Sequence, residues 1–164
     1  ARVAIPGKMT TANLLLRLYA PELEEGREMV YSEIMPAVAS GEVDAGLIIH
    51  ESRFTFPEHR LQKVVDLGEW WEAETGSPIP LGGIIARRSL GEPLIRRIEA
   101  GIRASVEYAF RDPAASAGYV AEHAQEMDAE VMRQHVDLYV NEFSVDVGEE
   151  GERAIAELLR RARE

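Results

Sequence analysis

Apolar and polar positions change their period several times along this chain, and each change marks an element. Arg2-Val3-Ala4-Ile5-Pro6-Gly7 reads as a short strand closed by a Pro-Gly turn. Thr10 and Thr11 then precede Leu14, Leu15, Leu18 and Tyr19 at helical spacing. Residues 21–27 are polar and turn-rich, 28–31 read as a short edge strand, and Ser32 is a candidate N-cap for a helix over 33–39 that Gly41 stops. In the stretch 44–49, Ala45, Leu47, Ile48 and Ile49 surround Gly46 without period-2 alternation, which predicts a strand buried on both faces. The order is βαβαβ, for which a right-handed, parallel arrangement is expected.

Beyond His50 the pattern loosens. Residues 51–60 form a polar-aromatic loop carrying Arg53, Phe54 and Phe56. Residues 64–68 read as a further strand, 69–75 as a short helix with Trp70 and Trp71, and Pro78-Ile79-Pro80-Leu81 as an extended approach to a strand over 82–86. Leu94, Ile95, Ile98, Ile102, Val106 and Ala109 form one stripe, so 92–111 is expected to be a long amphipathic helix. Pro113 begins another helix, Asp128 caps one that ends near Phe143, and 149–164 would be the last. The second half thus supplies helices that need a sheet to cover, with few strands to form it, so either the core is unusual or a partner segment is missing.

Composition narrows the function. At 164 residues, 46% hydrophobic and 29% charged, the chain is long enough for a real core and ordinary for a globular protein. Eighteen basic residues face 29 acidic ones, a net charge of -11, which argues against nucleic acid or an anionic membrane as the main partner. A small anion held by a few local donors remains compatible with it. With no cysteine, disulfides, thiolate nucleophiles and Cys-rich metal sites are excluded. The chain has neither a membrane-length apolar run nor a signal peptide, so a cytoplasmic location is expected.

Two motifs fail on inspection. Gly7-Lys8-Met9-Thr10-Thr11 lacks the first glycine of a phosphate loop, since position 2 is Arg, and Met9 follows the lysine where Ser or Thr is needed. His50-Glu51 could open a zinc-protease motif, but position 54 is Phe. Two plainer features survive. Thr10 and Thr11 after a Pro-Gly turn either only cap a helix or also offer hydroxyls and amides to a carboxylate or phosphate. His50, directly after a strand, stands where ligands of open α/β sheets bind, and its imidazole suits a base near neutral pH. His59 and His123 read as incidental, and His135 as a packed histidine on the stripe of Val131 and Tyr139. Trp70 and Trp71 cannot both face inward from one helix.

Several strings together resemble a known family. They are Val3-Ala4-Ile5-Pro6-Gly7 with Thr10-Thr11-Ala12, Gly46-Leu47-Ile48-Ile49-His50-Glu51-Ser52-Arg53-Phe54, Val65-Asp66-Leu67-Gly68-Glu69-Trp70-Trp71, Pro80-Leu81-Gly82 and Tyr139-Val140-Asn141-Glu142-Phe143-Ser144. Over nearly its whole length the chain looks like the 1,4-dihydroxy-6-naphthoate synthases of the futalosine route to menaquinone. The resemblance implies an α/β, periplasmic-binding-protein-like (type II) two-lobed fold, here incomplete and with a helical C-terminal half. It implies most of the second lobe in 1–50, and in 51–164 a return segment and helices belonging largely to a first lobe whose N-terminal part is missing.

The activity implied is a carbon–carbon lyase that converts cyclic dehypoxanthine futalosine to 1,4-dihydroxy-6-naphthoate without metal or organic cofactor. His50 falls on the family's proton acceptor, and Thr11 and Ala12, with Thr10 beside them, fall on its substrate contacts. The partner expected is a small carboxylate substrate, with no nucleic acid and no membrane; an exposed face between lobes would favour self-association. The alternative reading is a receptor for a small carboxylate with the same cleft and no chemistry, because one scaffold hosts many functions.

Overall fold

The computed structural model describes residues 1–23, 25–123 and 128–163. Strand β1 (Val3–Ile5) leads through a turn to helix α1 (Thr11–Tyr19); β2 (Arg27–Glu28), α2 (Tyr31–Ala39) and β3 (Ala45–Gly46) follow. The sheet order is β2-β1-β3, with both pairings parallel and a register of Ala4 opposite Arg27 on one side and Gly46 on the other. The parallel βαβαβ arrangement read from the first fifty residues is therefore present. Its core is Ala4, Ile34, Ala37 and Val43, with Met29, Val38 and Ile48 packed against it.

Two glycines set how closely this unit packs. A Cβ on Gly46 would stand 2.3 Å from Ile34 Cγ2 and 3.0 Å from Val38 Cγ2, so α2 lies directly on the β3 backbone. A Cβ on Gly26 would stand 2.5 Å from Ile5 Cγ2, beside the entry to β2.

The first compact unit comprises residues 1–79 and 153–164. Within it, α3 (Ser52–Thr55) and a 3-10 turn (Phe56–His59) follow His50, and α4 (Leu67–Thr75) carries the double tryptophan. Trp71 is fully buried, while Trp70 is half-buried and meets the Tyr19 ring edge-on at 5.4 Å. The two rings thus part company, as one helix requires. Arg161 lies over the Trp71 ring at 5.4 Å and Ala154 is buried, so the C-terminal part of α9 (Gly148–Arg161) closes this unit.

The second unit, residues 80–152, is helical. It holds α5 (Glu92–Arg111), α6 (Ala114–His123), α7 (Ala129–Tyr139) and α8 (Glu142–Val145). Arg103 of α5 pairs with Asp146 just after α8 at 3.0 Å. The helix expected from Asp128 to Phe143 is two, because the Asn141 side chain caps a new one by accepting from the Phe143 amide. Glu24 of the expected polar turn and Glu164 of the expected last helix lie outside the described residues.

Several expectations need correction. The two-lobed periplasmic-binding-protein-like fold is not what is observed: the described residues are mostly helical, with one small three-stranded parallel sheet. Two strands that would have enlarged the sheet do not form. Over 64–68, Asp66 accepts from the amides of Gly68 and Glu69 and starts α4 at Leu67, cutting the apolar run; Val64 is left exposed. Residues 82–86 have no neighbouring strand among the described residues, and Ile84 and Ile85 are exposed. The expected strand 44–49 is ladder-bonded only as far as Leu47, whose amide reaches Ala4. The next position on that side of the ladder is Pro6, just past β1, which has no N–H to donate. Leu47, Ile48 and Ile49 are half-buried rather than enclosed on both faces. Finally, Tyr31 belongs to α2 rather than to an edge strand, and Val30, not Ser32, is its N-cap position.

Candidate functional site

The order β2-β1-β3 means that the chain leaves β1 in one direction to reach β2 and returns past it to reach β3. Right-handed crossovers then put α1 and α2 on opposite faces, and the crevice beyond the carboxyl ends of β1 and β3 is a topological switch point. Two segments open there: 6–13 after β1 and 47–50 after β3. The topology therefore brings the threonine loop and His50 to the same edge of the sheet.

The threonine loop is held by its own polar groups. Thr10 Oγ1 donates to the Gly7 carbonyl at 2.8 Å and accepts from the Asn13 amide at 3.1 Å, so this hydroxyl is the helix cap. The Asn13 side chain donates back to the Lys8 carbonyl at 2.9 Å. The Lys8 amide donates to the Glu28 carboxylate at 2.8 Å, so this turn already receives one carboxylate from the protein itself. With Thr10 serving Asn13, the amides of Thr11 and Ala12 remain among those an α-helix cannot satisfy from within. Thr11 and Ala12 are half-buried at the positive end of α1.

His50 ends the other segment in the left-handed region, φ 58°. A non-glycine residue there is uncommon, though histidine tolerates it better than most. The turn drives the chain at once into α3: the Arg53 amide reaches the His50 carbonyl at 3.4 Å and the Phe54 amide the Glu51 carbonyl at 2.9 Å. The imidazole is exposed and meets the Tyr31 ring edge-on, with centroids 5.2 Å apart and planes at 69°. Arg53 pairs with the largely buried Asp66 carboxylate, tying α3 to the start of α4.

The other sequence candidates fall elsewhere. His59 is exposed at the end of the 3-10 turn. His123 is exposed and stacked on Tyr119 at 4.2 Å, and His135 is half-buried against Tyr139 at 4.6 Å. An open groove of about 410 Å³ lies at the opposite, amino edge of the sheet, lined by Arg2, Val3, Glu25, Arg27, Glu42 and Asp44 among others. Its charges are already matched, Arg2 with Asp44 at 2.8 Å and Arg27 with Glu42 at 2.7 Å. The Arg2 hydrogen bonds hold the Asp44 carboxyl down at about 2. That edge is a set of ion pairs and is distinct from the switch point. No three His, Asp or Glu side chains come together as a ligand set among the described residues.

Sequence reasoning missed Tyr31 as the neighbour of His50, having placed it in a strand, and missed the Arg53–Asp66 tie. Asp66 two residues before Gly68 and three before Glu69 was the available signal for the second.

A helix N-terminus with open amides and a strand-end histidine thus stand at one switch point, the place where open α/β sheets bind small molecules. The chain belongs to the menaquinone-biosynthesis family, whose profile matches residues 1–164. It is 56% identical over 161 residues to a 1,4-dihydroxy-6-naphthoate synthase of Thermus thermophilus, covering 98% of this chain and 59% of that protein. A synthase of the same name from Streptomyces coelicolor is 55% identical over 165 residues, covering 98% and 58%. The chain thus spans about three fifths of these relatives' length. Among solved structures it is similar to protein AF1704 from Archaeoglobus fulgidus, with a TM-score of 0.92 and 34% identity over 99% of this chain and 61% of the other. That likeness, and not the periplasmic-binding-protein architecture, describes the fold.

No helix among the described residues is long and apolar enough to cross a membrane.

Proposed function

We propose that this chain carries the base-bearing part of a carbon–carbon lyase that converts cyclic dehypoxanthine futalosine to 1,4-dihydroxy-6-naphthoate in the cytoplasm. His50 takes a proton from the cyclic, sugar-derived part of the substrate. The fragmentation this starts expels the sugar-derived part and leaves the aromatic naphthoate. The substrate carboxylate sits on the amides of Thr11 and Ala12 and the Thr11 hydroxyl, at the positive end of α1. Thr10 keeps that loop in shape. No cofactor takes part. The relatives' name supports the product, and the futalosine substrate and the lyase class are this reading's own.

The observation that carries the proposal is His50 on a left-handed turn at the switch point, at the same sheet edge as the only partly satisfied start of α1. A positioned base contributes about 10²–10⁴-fold. To test it, the chain would be grafted in place of the matching 161 residues of the Thermus thermophilus synthase. The hybrid and its His50→Ala variant are then given cyclic dehypoxanthine futalosine, and naphthoate is followed by mass. Product from the parent with about a hundredfold or greater loss in the variant is expected. Equal product from both would move the base elsewhere. Binding with the compound returned unchanged would make the site a carboxylate receptor.

A further inference from the structure

The exposed imidazole of His50 needs a wall, because a base that swings between rotamers spends only part of its time aimed at the substrate. The turn fixes the His50 backbone but leaves its side-chain torsions to the surroundings. Tyr31 is one residue that arrives there. It is the first residue of α2, and α2 runs from the end of β2 to the start of β3, so its N-terminus stands at the same carboxyl edge as His50. Helix α2 is itself anchored: Ile34, Met35 and Ala37 are buried, Gly46 lets it lie on β3, and it also packs on the 3-10 turn that follows α3. A ring on such a helix is a rigid object. The Tyr31–His50 centroid distance of 5.2 Å and interplanar angle of 69° are those of an edge-to-face pair.

We infer that the Tyr31 ring is the positioning residue for His50: it selects the imidazole rotamer from which the proton is taken. The inference rests on His50 being the base, as proposed above, but the contact itself can be read without any turnover. Tyr31→Phe keeps the ring; Tyr31→Leu keeps the apolar volume and removes the ring.

The first arm is spectroscopic and uses the full 164-residue chain with labelled histidine. Its four imidazoles are distinguished by the loss of one set of signals in His50→Gln. Ring-proton shifts and the side-chain couplings of His50 are compared in the parent, Tyr31→Phe and Tyr31→Leu, with the buried Trp71 indole signal as the check that each variant is folded. The expected result is one His50 rotamer in the parent and in Tyr31→Phe, and rotamer averaging with loss of the ring-current shift in Tyr31→Leu. An averaged parent, an unaffected Tyr31→Leu, or a Tyr31→Phe that behaves like the leucine variant overturns the inference.

The second arm places the same substitutions in the grafted synthase. A roughly tenfold fall in kcat with KM within about twofold in Tyr31→Leu, restored in Tyr31→Phe, supports the inference. An unchanged kcat in Tyr31→Leu refutes it. A parent that makes no product refutes the lyase reading instead, while the spectroscopic arm still reports whether the ring orders His50.

Discussion

Gly46→Ala tests whether the site edge depends on the close seating of α2 on β3. The added methyl would stand 2.3 Å from Ile34 Cγ2, about 1.2 Å inside an ordinary carbon contact of about 3.5 Å, and 3.0 Å from Val38 Cγ2. Ile34 is fully buried and β-branched, so its χ1 cannot turn aside; α2 has to lift. Overpacking of this kind costs about 1–3 kcal/mol, with this distance at the severe end, and replacing glycine within a strand returns about 0.5–1 kcal/mol. The expected net loss is about 2 kcal/mol, read by urea unfolding followed through Trp71 fluorescence. Ile34→Ala alone opens a cavity and costs about 2–5 kcal/mol. In the double variant the offending Cγ2 is gone and the nearest remaining Ile34 atom, Cβ, is 3.9 Å away. The two losses should therefore fall short of additivity by about 1 kcal/mol or more. A Gly46→Ala protein as stable as the parent, or losses additive within about 0.5 kcal/mol, would refute the packing argument.

Thr10→Ala should cost about 1 kcal/mol by removing the α1 cap while Thr10→Ser keeps most of it, measured by urea midpoint. Asp66→Ala should cost about 1–2 kcal/mol through the α4 cap alone, and Asp66→Asn less, since an amide oxygen can still accept from Gly68 and Glu69; equal losses in both would shift the weight to the Arg53 pair. Asp44 titrates at about 2 instead of 3.8, chiefly because the Arg2 side chain and amide bond its charged form. A depressed carboxyl stabilises fully above its unfolded value and loses that contribution as pH falls through about 2, so unfolding midpoints should decline more steeply from pH 4 to 2 in the parent than in Asp44→Asn. Glu157, bonded by Arg160 and Arg161 and likewise held at about 2, should show the same difference against Glu157→Gln.

What the sequence made legible is what local chemistry decides. The strand end at Pro6-Gly7, the threonine cap, the Leu14 to Tyr19 stripe and the Asp128 cap each depend on residues within five positions of one another, and each is found in the structure. Strands depend on a partner elsewhere, and there the reading failed. An apolar run such as 82–86 has the composition of a strand, yet no neighbour supplies its ladder among the described residues, and Ile84 and Ile85 face solvent. The 64–68 run failed for the opposite reason: a local signal, the Asp66 cap, overrode the apolar pattern.

The same division runs through the site. Position after a strand was enough to single out His50, because the end of an apolar run is visible in one dimension. Which of two adjacent threonines is the cap was not visible, since both satisfy the capping pattern. Geometry separates them: Thr10 spends its hydroxyl on Gly7 and Asn13, and Thr11 begins the helix with its amide beyond the reach of that cap. Tyr31 was invisible for a third reason. It is 19 positions from His50 in sequence and meets it only because β1 lies between β2 and β3, which makes the α2 crossover pass over the sheet and start at the carboxyl edge. The proposed base is thus encoded locally, and the ring that meets it is brought there by topology.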